Sequence, residues 1–177
     1  MKNKCAFTNI EILINTIILG IVACISHYVY DLSGNKLIIG LFNPVNESVW
    51  EHLKLMFFPF LSWWIVIYLK KDKKCEIPLT IWIESAAVSL VAAPLSVVLL
   101  FYFYSGAFGI ESVFIDILLA FIGYFIALCV ASHFLKFSVP NKCAAIVSAV
   151  VIVIIFIAFI VFTINPPKLP IFSFKGK

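Results

Sequence analysis

The sequence predicts an all-α, polytopic membrane protein with five transmembrane helices and short loops. Three observations carry that prediction. Of the 177 residues 63% are hydrophobic and only 12% charged, with a mean hydropathy of +1.11, whereas soluble domains run about 45–50% apolar and about 25% charged. Five segments reach the length of about 20 apolar residues that a helix needs to cross hydrocarbon. Glycine, proline and charge cluster between those segments. A chain of this size in water has no way to bury so much apolar surface, so a soluble enzyme and a nucleic-acid binder are excluded. The expected surroundings are a lipid bilayer, and one integral membrane domain is expected over residues 1–177.

The first span covers about residues 10–30. Lys2 and Lys4 precede it as in a signal peptide, and Ile21-Val22-Ala23-Cys24 resembles a lipoprotein cleavage box. Glu11 and Asn15 interrupt the apolar core that a signal needs, and further spans follow, so an uncleaved first span is expected. Residues 31–47 form the longest connection, with Gly34, Gly40 and Pro44 as turn residues. Its apolar piece, 37–42, is too short to span and is expected in the interface or as a re-entrant segment. The second span, 48–69, and the third, 79–104, contain Pro59 and Pro94. Membrane helices tolerate such breaks where neighbours re-satisfy the backbone, and each is expected to kink its helix. The fourth span covers 110–135 and the fifth 144–164. Beyond it Pro166, Pro167 and Pro170 hold the tail extended, and Phe172 and Phe174 are expected to fold it back onto the outer surface.

Lysine bias sets orientation. One side carries Lys2, Lys4, the basic loop Lys70-Lys71-Asp72-Lys73-Lys74, Lys136 and Lys142; the other carries Lys36, Lys168, Lys175 and Lys177. The expectation is a multi-pass protein of the cell membrane with its N-terminus cytoplasmic and its C-terminus outside. All 13 basic residues are lysines, so the chain lacks the bidentate fork with which arginine grips phosphate. Five scattered cysteines without a CxxC pair read as neither a disulfide framework nor a zinc knuckle.

Ionisable groups inside a membrane are costly and are functional candidates by default. His27, Glu51, His52 and Asp116 all fall about 5–10 Å below the outer boundary at 1.5 Å per residue, with Tyr102 and Tyr104 at the same level. They are expected to turn toward one another. The densest stretch is Asn43-Pro44-Val45-Asn46-Glu47-Ser48-Val49-Trp50-Glu51-His52-Leu53-Lys54. Asn43 with Pro44 fits a helix N-cap, and Ser48 with Glu51 a capping box. Trp50 fits an aromatic belt and Lys54 a snorkelling lysine. Glu47 and Glu51 share a face if the helix includes both, as do Ser48 and His52. Asp31, at i,i+4 from His27, can orient its imidazole if the helix persists that far; taken alone, His27 is expected to bond a loop carbonyl instead. Two imidazoles and two carboxylates suit a divalent ion such as Zn²⁺, with His27, His52 and Asp116 as its ligands and Glu51 or Glu47 as general base. Asn46, Ser48, Trp50, Lys54 and Tyr104 are the candidate substrate contacts. Glu11, Glu84 and His133 read as interfacial anchors at the cytoplasmic ends.

The run Gly40-Leu41-Phe42-Asn43-Pro44-Val45-Asn46-Glu47-Ser48-Val49-Trp50-Glu51-His52-Leu53-Lys54-Leu55 resembles a small bacterial integral membrane family known only as a domain of unknown function. The resemblance extends over nearly the whole chain: His27 with Tyr30 and Ser33-Gly34, then Tyr104-Ser105-Gly106 with Gly109 and Ile115-Asp116-Ile117, then Pro166-Pro167 with Pro170-Ile171-Phe172. It departs at Ser173-Phe174-Lys175, in place of an acidic residue and a longer glycine-containing tail. The resemblance implies a multi-pass architecture and no assigned activity. Ser48 and His52 also have the S-x-x-x-H spacing of membrane hydrolases of the alkaline ceramidase type, which hold zinc through histidines, but this chain lacks their HxxxH and has two fewer spans.

Three functions compete. One is a membrane-embedded hydrolase acting on a lipid or lipid-linked substrate, in which a metal activates water. The second is a substrate-binding or transport component for a small polar solute or cation. The third is a structural or regulatory membrane partner whose polar cluster only locks the bundle.

Overall fold

The computed structural model describes residues 6–70 and 77–173; the basic loop after Lys70, the first lysines and Phe174 lie outside them. Five helices are long and apolar enough to cross a membrane: α1 (Asn9–Leu32), α3 (Val49–Lys70), α4 (Leu79–Phe108), α5 (Val113–Phe137) and α6 (Lys142–Ile164). A one-turn helix, α2 (Leu37–Gly40), and a 3-10 turn at Pro170–Phe172 complete the described elements. No strand occurs among the described residues. The all-helical, five-span reading is thereby confirmed.

Each boundary has a local cause. Thr8 and Glu11 form a reciprocal capping box at the start of α1, so Glu11 closes a helix end rather than anchoring in an interface. Asn141 caps α6 by accepting from the amides of Cys143 and Ala144. α4 ends at Gly109 in the left-handed region (φ 65°), where the lack of a side chain removes the steric penalty.

α3 is the most enclosed span, and Leu53, Met56, Phe57, Phe60 and Trp64 on it are buried. It packs against α1 and α4; α5 packs on α1 and α4, and α6 on α4. The helix continues through Pro59, which has no N–H to give to the carbonyl of Leu55. The buried Tyr124 hydroxyl of α5 donates to that carbonyl instead, a neighbour supplying what the proline removed. Gly123 allows the same close approach: a Cβ there would lie 2.9 Å from Val97 Cγ2 and 3.1 Å from the backbone oxygen of Ala93. Cross-helix donors add register. Trp63 Nε1 donates to Asn15 Oδ1, and Trp64 Nε1 to Ser89 Oγ, both at 2.9 Å. Such bonds average about 0.6 kcal/mol in membranes, so packing of the aromatic core holds most of the bundle together.

The antiparallel path brings the C-terminal end of α1, the N-terminal end of α3, the α4–α5 turn and the C-terminal end of α6 to one end of the bundle. At the opposite end Glu84 is only 7% exposed, and its Oε1 has no hydrogen-bond partner among the described residues. The sequence reading of Glu84 as an interfacial anchor is corrected: α4 turns it inward.

Candidate metal centre

The site begins with where α3 starts. Asn43 does not cap it; Asn43 Nδ2 donates back to the carbonyl of Ile39 and closes α2. The chain then runs irregularly to Ser48, whose N–H is taken by Asn46 Oδ1 at 2.9 Å. Ser48 Oγ accepts from the amide of Glu51, and the helix runs from Val49. Half of the expected capping box is thus present. The other half is missing because the Glu51 carboxylate points inward, to the amide of Val45.

That start separates Glu47 from Glu51. Glu47 precedes the helix, so the shared face expected for the two carboxylates does not form. Glu47 instead lies over both imidazoles. His27 Nε2 and His52 Nε2 are 3.1 Å apart, and Glu47 Oε2 is 3.6 Å from the first and 3.3 Å from the second. His52 Nδ1 is 2.9 Å from the carbonyl oxygen of Ser48. A carbonyl only accepts, so Nδ1 carries a proton, and Nε2 is the ring nitrogen that faces His27 and Glu47. Among the described residues this is the group of three or more His, Cys, Asp or Glu side chains placed to hold a metal ion. The site is partly open: the side chains of His27, His52 and Glu47 retain 28%, 34% and 53% of their exposure. α1 reaches Leu32, yet no hydrogen bond joins His27 to Asp31; the ring of Tyr28 lies edge-on to His27 at 5.2 Å.

The remaining candidates sit elsewhere. Asp116 does not join the histidines; its Oδ1 accepts from Tyr104 at 2.6 Å, and the same hydroxyl receives the Ser112 amide. That pair ties α4 to α5. Tyr104 is buried and fully engaged. Lys54 does not snorkel. It is fully buried, and its three N–H groups go to Glu51 Oε2 (2.6 Å), the carbonyl of Gly40 (2.7 Å) and that of Asn43 (3.3 Å). Glu51 is 3% exposed; its Oε2 accepts from Lys54 and Val45, and its Oε1 lies 3.4 Å from the Thr163 hydroxyl, whose hydrogen goes to the carbonyl of Phe159 at 2.7 Å. Ser48 is buried, and Trp50 lies under Phe159 and Phe172, with centroids at 4.9 and 4.8 Å. The tail does fold back as expected, through Phe172. Asn46 is exposed beside Glu47.

Glu47 as the acidic partner of both histidines is what sequence reasoning missed. The available signal was Asn46-Glu47-Ser48 itself: an Asx-type turn at Ser48 delays the helix and frees Glu47 from helical spacing.

No curated protein and no solved structure matches the chain. Residues 1–177 match, over their full length, the family of unknown function DUF6512, and the chain belongs to that family.

Proposed function

We propose that His27, Glu47 and His52 hold a divalent cation of the Zn²⁺ type, and that the chain is a membrane-embedded hydrolase acting on a lipid or lipid-linked substrate. The single observation that carries this is the triangle of ligand atoms with edges of 3.1, 3.3 and 3.6 Å. A tetrahedral ion bound at about 2.0–2.2 Å sets neighbouring ligand atoms about 3.3–3.6 Å apart. Without a cation or a shared proton between them, the lone pair of His52 Nε2 faces a carboxylate oxygen.

Three protein ligands on a partly open centre follow the pattern of catalytic zinc, whose fourth position is left to water or substrate. An ion held there would supply a hydroxide nucleophile near neutral pH, and the overall reaction would add water across the ester or phosphoester bond, with the hydrogen going to the leaving alcohol. Glu47 serves as ligand, and Glu51, buried and paired with Lys54, is not assigned as base. The exposed Tyr28, edge-on to His27 at 5.2 Å, gives the site an apolar neighbour suited to a substrate that stays partly in the bilayer. The lysine bias supports an orientation with this end of the bundle outside and the N-terminus cytoplasmic.

The test is full-length protein in vesicles of mixed phospholipids, assayed for release of water-soluble headgroup or fatty acid with and without a chelator. Chelator-sensitive release that His52→Ala lacks is expected. Zinc retained with no hydrolysis of any lipid tried contradicts the hydrolase and leaves a cation- or solute-binding component.

A further inference from the structure

We infer that Lys54 and Glu51 are the positioning pair of the metal centre: together they fix the loop that delivers Glu47 and the residue that orients His52. The inference rests on the metal reading above. Irregular backbone at membrane depth is tolerated only where protein groups satisfy it, and the chain from Leu41 to Ser48 has no regular ladder. Lys54 Nζ meets the carbonyls of Gly40 and Asn43, and Glu51 Oε2 meets the amide of Val45 at 3.0 Å. Glu47 follows Val45 by two residues. On its other flank, Ser48 receives the Glu51 amide through Oγ and holds His52 Nδ1 through its carbonyl. One ligand, Glu47, therefore lies on a segment stapled to α3 at Glu51 and Lys54, and the carbonyl of Ser48 that orients a second, His52, ends that segment. Gly40 lets the staple close: a Cβ there would stand 2.5 Å from Val45 Cγ1 and 2.8 Å from the Tyr30 ring.

A buried ion pair is weak evidence for stability, since apolar residues of similar volume often hold a fold as well. Apolar residues, however, have no means of meeting two buried carbonyls and an amide. The pair fits the task of holding this loop, as outer-shell partners hold metal ligands.

The experiment uses the full chain purified in detergent. The double variant Glu51→Gln, Lys54→Met removes both charges and leaves no uncompensated one. It should melt as a folded protein, bind Zn²⁺ about 10–100-fold more weakly by chelator competition, and lose the visible spectrum of the Co²⁺-substituted parent. Equal affinity and an unchanged Co²⁺ spectrum overturn the inference. Hydrogen exchange on the unaltered chain decides the matter should the variant not fold. The Val45 amide must be protected in zinc-free protein, and free exchange there overturns the positioning role. An unaltered chain that takes up no Zn²⁺ defeats the metal reading itself, whereas uptake by parent and double variant alike defeats only the positioning role.

Discussion

Glu47 and Glu51 lie four residues apart on either side of a helix start, and their surroundings are opposite. Glu47 is half exposed and faces two imidazole nitrogens across 3.3 and 3.6 Å. Glu51 is 3% exposed and accepts from a lysine and a backbone amide. Around Glu51 and Lys54 donors meet acceptors: all three N–H groups of the lysine are used, and Glu51 Oε2 takes both the lysine and the Val45 amide. Around Glu47 two ring nitrogens and a carboxylate oxygen converge instead. In a low-dielectric interior a satisfied network rigidifies, while three such atoms at one point are arranged to share a proton or hold a cation. The difference separates groups that build the site from groups that form it, although both carry the charge that makes a residue conspicuous in an apolar sequence.

The contrast can be broken most forcefully at Lys54. Lys54→Met alone strands the Glu51 carboxylate in the interior, and removing one member of a buried pair costs about 3–5 kcal/mol. Unfolding in mixed detergent micelles should show that loss, and a change below about 1 kcal/mol, the range of exposed pairs, would place Glu51 in water. Next is Gly40→Ala, which forces Val45 and Tyr30 apart. A destabilisation of about 1–3 kcal/mol is expected from such overpacking, with weaker zinc retention measured on the same samples. His52→Ala acts on the other side of the comparison: the bound metal should vanish while stability falls by only about 0.6 kcal/mol, the average for a polar contact between membrane helices. A large stability loss without any change in metal content would make His52 a structural donor. The smallest effect is expected at Asp116→Asn, which disturbs only the Tyr104 bond. Metal content should be unchanged, and a stoichiometric loss of metal would return Asp116 to the centre.

The spans were legible because crossing hydrocarbon imposes a length and a composition on every helix, and α1 and α3 through α6 obey both. His27 and His52 were legible because ionisable groups in such spans stand out. Depth followed from counting residues, but direction did not. Asp116 lies in the same stratum as the histidines, yet α5 turns it toward Tyr104. A helix's rotation about its axis is set by packing, here of Gly123 against α4 and Tyr124 against Leu55, and a hydropathy pattern apolar on every side does not record it. Lys54 was misread for a related reason. A lysine one to two turns into a span ordinarily reaches for water, but here three buried acceptors lie closer. Whether Glu47 belonged with Glu51 or with His52 depended on a helix start fixed by the Asn46 side chain, a local bond with no trace in periodicity.

Elemental analysis of the purified full-length chain, before and after dialysis against a chelator and after return of Zn²⁺, tests the central claim most directly. The His27–Glu47–His52 triangle predicts about one tightly held zinc per chain, as three protein ligands on one ion require; it should be removed by the chelator, regained on return, and absent from His52→Ala. Parent protein with no stoichiometric metal before treatment and no uptake afterwards would contradict it and leave a shared proton between the two histidines as the occupant of the site.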